Sequence, residues 1–239
     1  MANLEDVKKL YDEVDSVWPQ NDKWHKYIHK KTTEIVEKWA KSSSKSLILN
    51  AGSGGTTYRI NGEIYHVDLC ENKINNFSHY WVGSIEHLPY ADNYFDLIIC
   101  VGSVLNYCDN INEIIHEFNR VLKPCGRIIL EYEKSESAEF IASANYGKSH
   151  FIEDFVYNNQ RHKLCLYSYF TVNEIMIKLN FTLKKQKWLH ILSSIKLGSP
   201  PLYDKAARYA KYDPFLQFLG VQNSSNVICL YQKNINDLL

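Results

Sequence analysis

The run Leu47-Ile48-Leu49-Asn50, followed by Ala51-Gly52-Ser53-Gly54-Gly55, constrains this chain more than any other stretch. A short apolar run flanked by glycines reads as a buried strand rather than a helix. The glycines let the backbone take positive φ and approach a ligand closely, because no Cβ stands in the way. Amides left free at such a turn point outward and bind electron-rich groups. A glycine turn is weak evidence alone, since a tight loop that binds nothing fits it too. Two later stretches sharpen it. Glu63-Ile64-Tyr65-His66-Val67-Asp68-Leu69 is a second strand pattern with an acid near its end, and Phe95 to Ser103 is a third that runs apolar into a small-residue turn. In open α/β sheets, ligands bind beyond the carboxyl ends of the strands, and an acid closing the second strand meets ribose hydroxyls. Three strands ending this way outline the rim of a nucleoside pocket.

Four blocks now stand in order: Asn50-Ala51-Gly52-Ser53-Gly54; Asp68; Glu86-His87-Leu88-Pro89-Tyr90-Ala91-Asp92-Asn93-Tyr94-Phe95-Asp96; and Arg120-Val121-Leu122-Lys123-Pro124-Cys125-Gly126-Arg127. Together, between Leu47 and Glu133, they resemble the class I S-adenosylmethionine-dependent methyltransferases. The resemblance implies an α/β, Rossmann-like sheet of seven mostly parallel strands, the last antiparallel, with helices on both faces. It implies S-adenosyl-L-methionine as cofactor, bound through Tyr11, Asn50, Ala51, Gly52, Ser53, Gly54, Asp68, Leu69, Ser84, Ile85, Glu86, Val101, Gly102, Ser103 and Tyr107. Gly52 and Gly54 would let backbone approach the methionine part, and Asp68 would hold the ribose. The family often carries an acid one residue after the glycine that ends strand three. Ser84 stands there instead, which leaves the adenine to the Ile85 amide, with Glu86 beside it. N-terminal segments of such enzymes often fold over the cofactor, which makes Tyr11, Trp18 and Trp24 lid candidates. A nicotinamide-binding reading fails, because its fingerprint needs a third, correctly spaced glycine and an acid about 20 residues on. A non-catalytic protein that binds a nucleoside or a partner on the same fold is the alternative.

Composition narrows the class further. Basic and acidic residues balance at 27 each, whereas a large nucleic-acid face needs a basic excess, so nucleic acid is disfavoured as a partner. No stretch is apolar enough to span a bilayer, and the first residues do not read as a secretion signal. The six cysteines are scattered without a C-x-x-C pair, as in reduced cytosolic proteins. The nine histidines are read as offering no ligand pair at i and i+4 either, so no metal site is expected. The expected partner is a small-molecule acceptor; no metal and no membrane are expected, and the expected location is cytoplasmic.

The 239 residues read as a single domain: 1–45 an N-terminal helical lid, 46–133 the cofactor-binding core, and 134–170 and 194–222 acceptor-side insertions. A helix is predicted over Leu4–Val14, and a second, capped by Asn21 or Asp22, to about Ala40. Thr56 to Gly62 is too short for a normal crossover, which needs about ten residues, so the first crossover helix is expected to shrink to about one turn. Strand three is predicted at Tyr80–Gly83, and a helix capped by Asp109 or Asn110 runs to Leu122. Strand five is predicted from Gly126 to Glu133. Thr171-Val172-Asn173-Glu174 reads as a capping box that starts a helix. Strand six follows from Phe181, a helix is predicted over Tyr203–Tyr212, and the last strand over Asn226–Tyr231. The aromatic, uncharged character of 134–170 suits a small, partly apolar acceptor. Asn106 and Tyr107 fall where donor and acceptor would meet, or they merely shape the loop. No catalytic base is secure. His162 and His190 are candidates, against the plainer reading of satisfied core histidines. The expected activity is methyl transfer from S-adenosylmethionine to a small molecule.

Overall fold

The computed structural model describes residues 4–14, 17, 23–157, 160–194 and 209–235. Helices α1 (Leu4–Asp12) and α2 (Lys23–Ala40) precede strand β1 (Leu47–Ala51). Then follow β2 (Glu63–Asp68), a one-turn α3 (Glu71–Ile74), β3 (Tyr80–Val82), β4 (Phe95–Cys100), α4 (Ile111–Val121) and β5 (Leu122–Glu133). A hairpin of β6 (His150–Tyr157) and β7 (Gln160–Tyr167) leads to α5 (Tyr169–Lys178), β8 (Phe181–Leu189), α6 (Ile191–Ser194), α7 (Asp213–Phe218) and β9 (Asn226–Lys233).

The main sheet has seven strands in the order β3-β2-β1-β4-β5-β9-β8. Only β9 is antiparallel, to β5 on one side and β8 on the other. This is the expected Rossmann-like arrangement. The central strands β1 and β4 are buried almost throughout, as parallel strands covered on both faces must be. On one face, Leu49, Ile98 and Leu130 pack with Ile114, Ile115 and Phe118 of α4 and with Val172 and Met176 of α5. On the other, Ile48, Leu97, Ile99 and Ile129 meet Ile35, Val36 and Trp39 of α2.

Helix α4 shows how local sequence sets an element. Ile111, Ile114, Ile115, Phe118 and Val121 recur at helical spacing and are all buried. Asn110, not Asp109, caps it, and its side chain accepts from the Glu113 amide at 3.4 Å. Arg120 in its last turn donates to the carbonyls of Leu88 (3.0 Å) and Tyr90 (2.7 Å), which ties the 86–96 stretch down.

Several expectations are corrected. Thr56–Gly62 forms no helical turn at all; the chain passes directly into β2, and the Glu63 amide bonds the Ser46 carbonyl at 2.8 Å. Helix α5 begins two residues before the predicted capping box, because the Ser168 side chain accepts from the Phe170 amide and acts as the cap. Strand β5 begins at Leu122 rather than Gly126, directly after α4. The predicted caps Asn21 and Asp22, and most of the predicted 203–212 helix, lie outside the described residues; Ala210–Tyr212 is a short 3-10 turn.

Asn106 resolves toward structure. It is fully buried in the turn Val104–Tyr107 after β4. Its Nδ2 donates to the carbonyls of Glu133 (3.0 Å) and Cys165 (2.8 Å), and its Oδ1 accepts from the Glu133 amide (2.9 Å). One amide thus pins the ends of β4, β5 and β7 together. Leaving a buried polar group unsatisfied costs about 1–3 kcal/mol. Asn106→Ala is expected to lower unfolding free energy by about 3 kcal/mol in urea titration; a loss below about 1 kcal/mol would contradict this account.

Candidate functional site

A cavity of about 390 Å3 runs along the carboxyl ends of β1, β2, β4 and β5. Leu4, Val7 and Tyr11 of α1 and Trp24 and Ile28 of α2 form part of its wall, and Phe155, His162 and Leu164 of the β6–β7 hairpin close another side. The parallel register creates it. Strands β2, β1 and β4 lie side by side in matched direction, so their terminal turns share one edge.

Gly52 (φ +65°) and Gly54 (φ +51°) both need the left-handed region and both line the cavity. A Cβ on Gly52 would come within 2.4 Å of Val104, and one on Gly54 within 2.9 Å of Val17. The turn therefore has no room for side chains. Its amides are less free than its sequence suggests. The Ser53 amide bonds the Val67 carbonyl at 3.0 Å, and the Gly54 amide bonds Asp68 Oδ2 at 2.7 Å.

Asp68 lines the cavity, and its Oδ1 accepts from the Cys70 amide at 2.9 Å. Burial pushes this carboxyl above its usual range, opposed by amide bonds from Cys70, Gly54 and Leu69 and by the charge of Lys73. Leu69, Ser84 and Ile85 continue the same wall. Val101, Gly102 and Ser103 line it from β4. Glu131, fully enclosed, holds this turn: its Oε2 accepts from the amides of Gly102 (2.7 Å) and Ser103 (2.9 Å), and its Oε1 from Asn226 Nδ2 (2.5 Å).

Across the cavity mouth, the hydroxyls of Tyr11 and Tyr107 bond at 2.8 Å, with their rings edge to face at 5.6 Å. Helix α1 is anchored beside the second strand end, where Lys73 Nζ donates to the Val14 carbonyl and Asn72 Nδ2 to the Asp12 carbonyl at 3.3 Å.

Three predicted site residues do not reach the cavity. Ala51 is buried in β1. Asn50 is buried and turned to internal duty, its Nδ2 donating to Ser53 Oγ (3.3 Å) and the Thr56 carbonyl (2.9 Å). Glu86 is not among the lining residues and accepts from Ser84 Oγ at 3.1 Å. The other twelve positions line the cavity together. Of the lid candidates, Tyr11 and Trp24 line it, and Trp18 lies outside the described residues.

Both histidine candidates reach the cavity. His162 stacks on Tyr107 at 5.8 Å. His190 is 3% exposed, and neither ring nitrogen has a hydrogen-bond partner among the described residues. Its backbone sits at φ +66°, held by its amide bond to Asp213 Oδ2 at 2.9 Å. Its ring lies edge-on to Trp24 at 4.9 Å, and burial pushes its pKa down to about 3. It is therefore a neutral imidazole at physiological pH.

Sequence reasoning passed over Glu131, Glu133 and Glu139, although two acids in the otherwise apolar strand Ile128-Ile129-Leu130-Glu131-Tyr132-Glu133 were a visible signal. It also passed over His25 and His29, one helical turn apart on α2, which both line the cavity. Among the described residues, no group of three or more His, Cys, Asp or Glu could hold a metal ion, and no helix is long and apolar enough to cross a membrane.

The turn of bare glycines, the acid that closes β2 and the open wall at Ser84–Ile85 suit an adenosine bearing a short amino-acid tail. Known proteins agree with that geometry. A family model described as "Methyltransferase domain" matches residues 47–130. A ubiquinone/menaquinone biosynthesis C-methyltransferase of a Shewanella species is 28% identical over 132 residues, covering 47% of this chain and 51% of that protein. The chain thus spans about half the length of this curated relative. Among solved structures, 1,6-didemethyltoxoflavin-N1-methyltransferase from Burkholderia thailandensis, with S-adenosylhomocysteine bound, aligns at TM-score 0.58 and 12% identity, covering 96% of this chain and 86% of that one. The [4+2]-cyclase SpnF aligns at TM-score 0.62 and 15% identity, over 96% of each chain. These two likenesses speak for the fold alone. The ordered motif blocks, the domain matched over residues 47–130 and the seven-stranded sheet agree in making this chain similar to the class I S-adenosylmethionine-dependent methyltransferases.

Proposed function

We propose that this protein transfers a methyl group from S-adenosylmethionine to a small acceptor with an apolar body. One observation carries the reading: Gly52, Gly54, Asp68, Ile85, Ser103 and Tyr107, drawn from three strand ends and the turn after β4, line one cavity with the hairpin residues Phe155, His162 and Leu164. A cofactor seat and an acceptor seat are thereby continuous.

The cofactor supplies a methyl group already activated on a sulfonium. Asp68 would accept from its ribose hydroxyls, the glycine turn would admit its methionine part, and the Ile85 amide would meet its adenine. Tyr11 and Tyr107 would close over it, with residues 1–45 acting as the lid. The segments 134–170 and 194–222 would form the acceptor side. Alignment of acceptor and methyl carbon can contribute roughly 7–11 kcal/mol in favourable intramolecular cases. The curated relative's name speaks of C-methylation in quinone biosynthesis, which supports an acceptor with apolar character. The hairpin wall, built from Phe155, Leu164 and the stacked Tyr107–His162 pair, supports the same character.

Two measurements test this reading. In calorimetric titration with S-adenosylhomocysteine, Asp68→Ala is expected to weaken binding about 10- to 100-fold, the range of a hydrogen bond to a charged group. Equal affinity in a folded variant would remove Asp68 from the site. Removing the residues before Asn21 deletes the Tyr11–Tyr107 contact, worth about 1 kcal/mol. It is expected to raise the off-rate of S-adenosylhomocysteine roughly five-fold in stopped flow; an unchanged rate would reduce α1 to packing. A protein that binds this ligand yet methylates nothing across a broad metabolite extract would instead be the non-catalytic binder.

A further inference from the structure

The cavity is chemically one-sided. No lysine or arginine lines it among the described residues, while Asp68, Glu131, Glu133 and Glu139 all do. Asp68 and Glu131 are occupied by the backbone amides they clasp. Glu133 and Glu139 are not used that way. Glu133 accepts from Ser103 Oγ at 3.2 Å, and Glu139 from Ser137 Oγ at 2.9 Å. Burial, then the charges of Glu139 and Glu131, push Glu133 up to about 8, against the Ser103 hydrogen bond. Burial raises Glu139 too. Glu133 thus sits where ionisation is costly, Glu139 lies toward solvent on the same cavity, and no lysine or arginine among the described residues lines it to answer them. Such a pair is stabilised by a bound cation.

A second feature points the same way. Glu133 pairs with Asn226 across β5–β9, and Asn226 with Leu189 across β9–β8. His190 therefore leaves the sheet at the same edge as Glu133. Its enclosed, neutral imidazole, without a partner at either nitrogen among the described residues, lines the same cavity. Buried polar atoms without partners are rare in folded proteins, and each calls for an explanation. A ligand that brings hydrogen-bonding groups would satisfy it. The walls between these groups are aromatic: Trp24, Tyr107 and Phe155.

We propose that the acceptor is a small alkyl or arylalkyl amine, its nitrogen seated by Glu133 and Glu139, its polar hydrogens shared with His190, and its apolar body against the aromatic walls. This rests on the methyl-transfer reading above. The amine enters as an ammonium ion beside Glu133, whose own proton leaves to water as the ion pair forms, and the ammonium then gives one proton to the Glu133 carboxylate. Its freed lone pair forms a bond to the methyl carbon as the carbon–sulfur bond breaks, and that electron pair stays on sulfur, leaving a neutral thioether. The product departs as a methylammonium ion, and the Glu133 proton passes to water by way of the cavity mouth, where Glu139 keeps solvent access.

The test is calorimetry on the full chain at neutral pH with three probes: phenethylamine, phenylacetate and 2-naphthol. Phenethylamine is expected to bind at least ten-fold more tightly than either other probe, with and without S-adenosylhomocysteine. Glu133→Gln keeps the shape and removes the charge, and is expected to weaken phenethylamine at least ten-fold. Glu139→Gln is expected to weaken it about three-fold while S-adenosylhomocysteine affinity stays within two-fold, so the second variant carries the test should the first fail to fold. Equal binding of phenylacetate or 2-naphthol, no heat from phenethylamine, or unchanged amine affinity in the folded Gln variants would overturn the amine seat. If the amine binds as expected but S-adenosylhomocysteine does not, the seat stands and the methyl-transfer reading falls.

Discussion

A carboxylate from one element clasping the backbone amides of its neighbour recurs along the working edge of this sheet. Asp68, closing β2, takes the amides of Gly54 and Cys70. Glu131, within β5, takes those of Gly102 and Ser103 in the turn after β4. Glu117 of α4 takes that of Leu88 at 2.6 Å. Turns at the ends of parallel strands expose amides with no ladder partner, and an unmade bond there is costly when buried. A charged acceptor makes the strongest of the available bonds. The rim is therefore fixed before any ligand arrives, at the expense of holding several acids in a poorly solvated place. Raised pKa values at Asp68 and Glu131 are the signature of that arrangement.

The crossovers near this rim are unusually spare. With no helix between β1 and β2 and one turn between β2 and β3, the sheet leaves its own cleft thinly covered. Helices α1 and α2 supply much of that cover. Their hold on the sheet comes from a few contacts of identifiable kind: the Tyr11–Tyr107 hydroxyl pair, backbone carbonyls of α1 and Val14 taken by α3 side chains, and the apolar stripe of α2 against Ile48 and Leu97. The stripe belongs to the core, whereas α1 buries Val7 and Leu10 and adds these few polar contacts. That difference makes α1 the part best suited to open, since segments with few buried apolar contacts unfold locally at low cost.

Much of the fold could be read before any coordinates. The apolar runs ending in Gly52, Asp68 and Gly102, and the α4 stripe, follow from side-chain periodicity and from glycine's tolerance of positive φ; such signals are local, and the chain carries them wherever it folds. Twelve of the fifteen positions that the resemblance implies for the cofactor line one cavity, because strand ends of a parallel sheet share an edge by topology. Asn50 and Glu86 are outside the lining and carry local hydrogen bonds, Asn50 to Ser53 Oγ and the Thr56 carbonyl and Glu86 from Ser84 Oγ, which only the folded turn reveals.

The tertiary structure alone decided the electrostatics. Glu133 and Glu139 are six residues apart in sequence and separated by a strand end and a turn, so nothing local says that both face one cavity, or that His190 shares it from a strand two ladders away. Asn106 looked equally fit for chemistry or for structure until the ends of β5 and β7 were seen to converge on its amide. Sequence determined which elements form and at which edge they end, since both are fixed by short-range patterns. What the buried charges face, and what is left without a partner, depends on contacts between distant segments, and these exist only once the chain is packed.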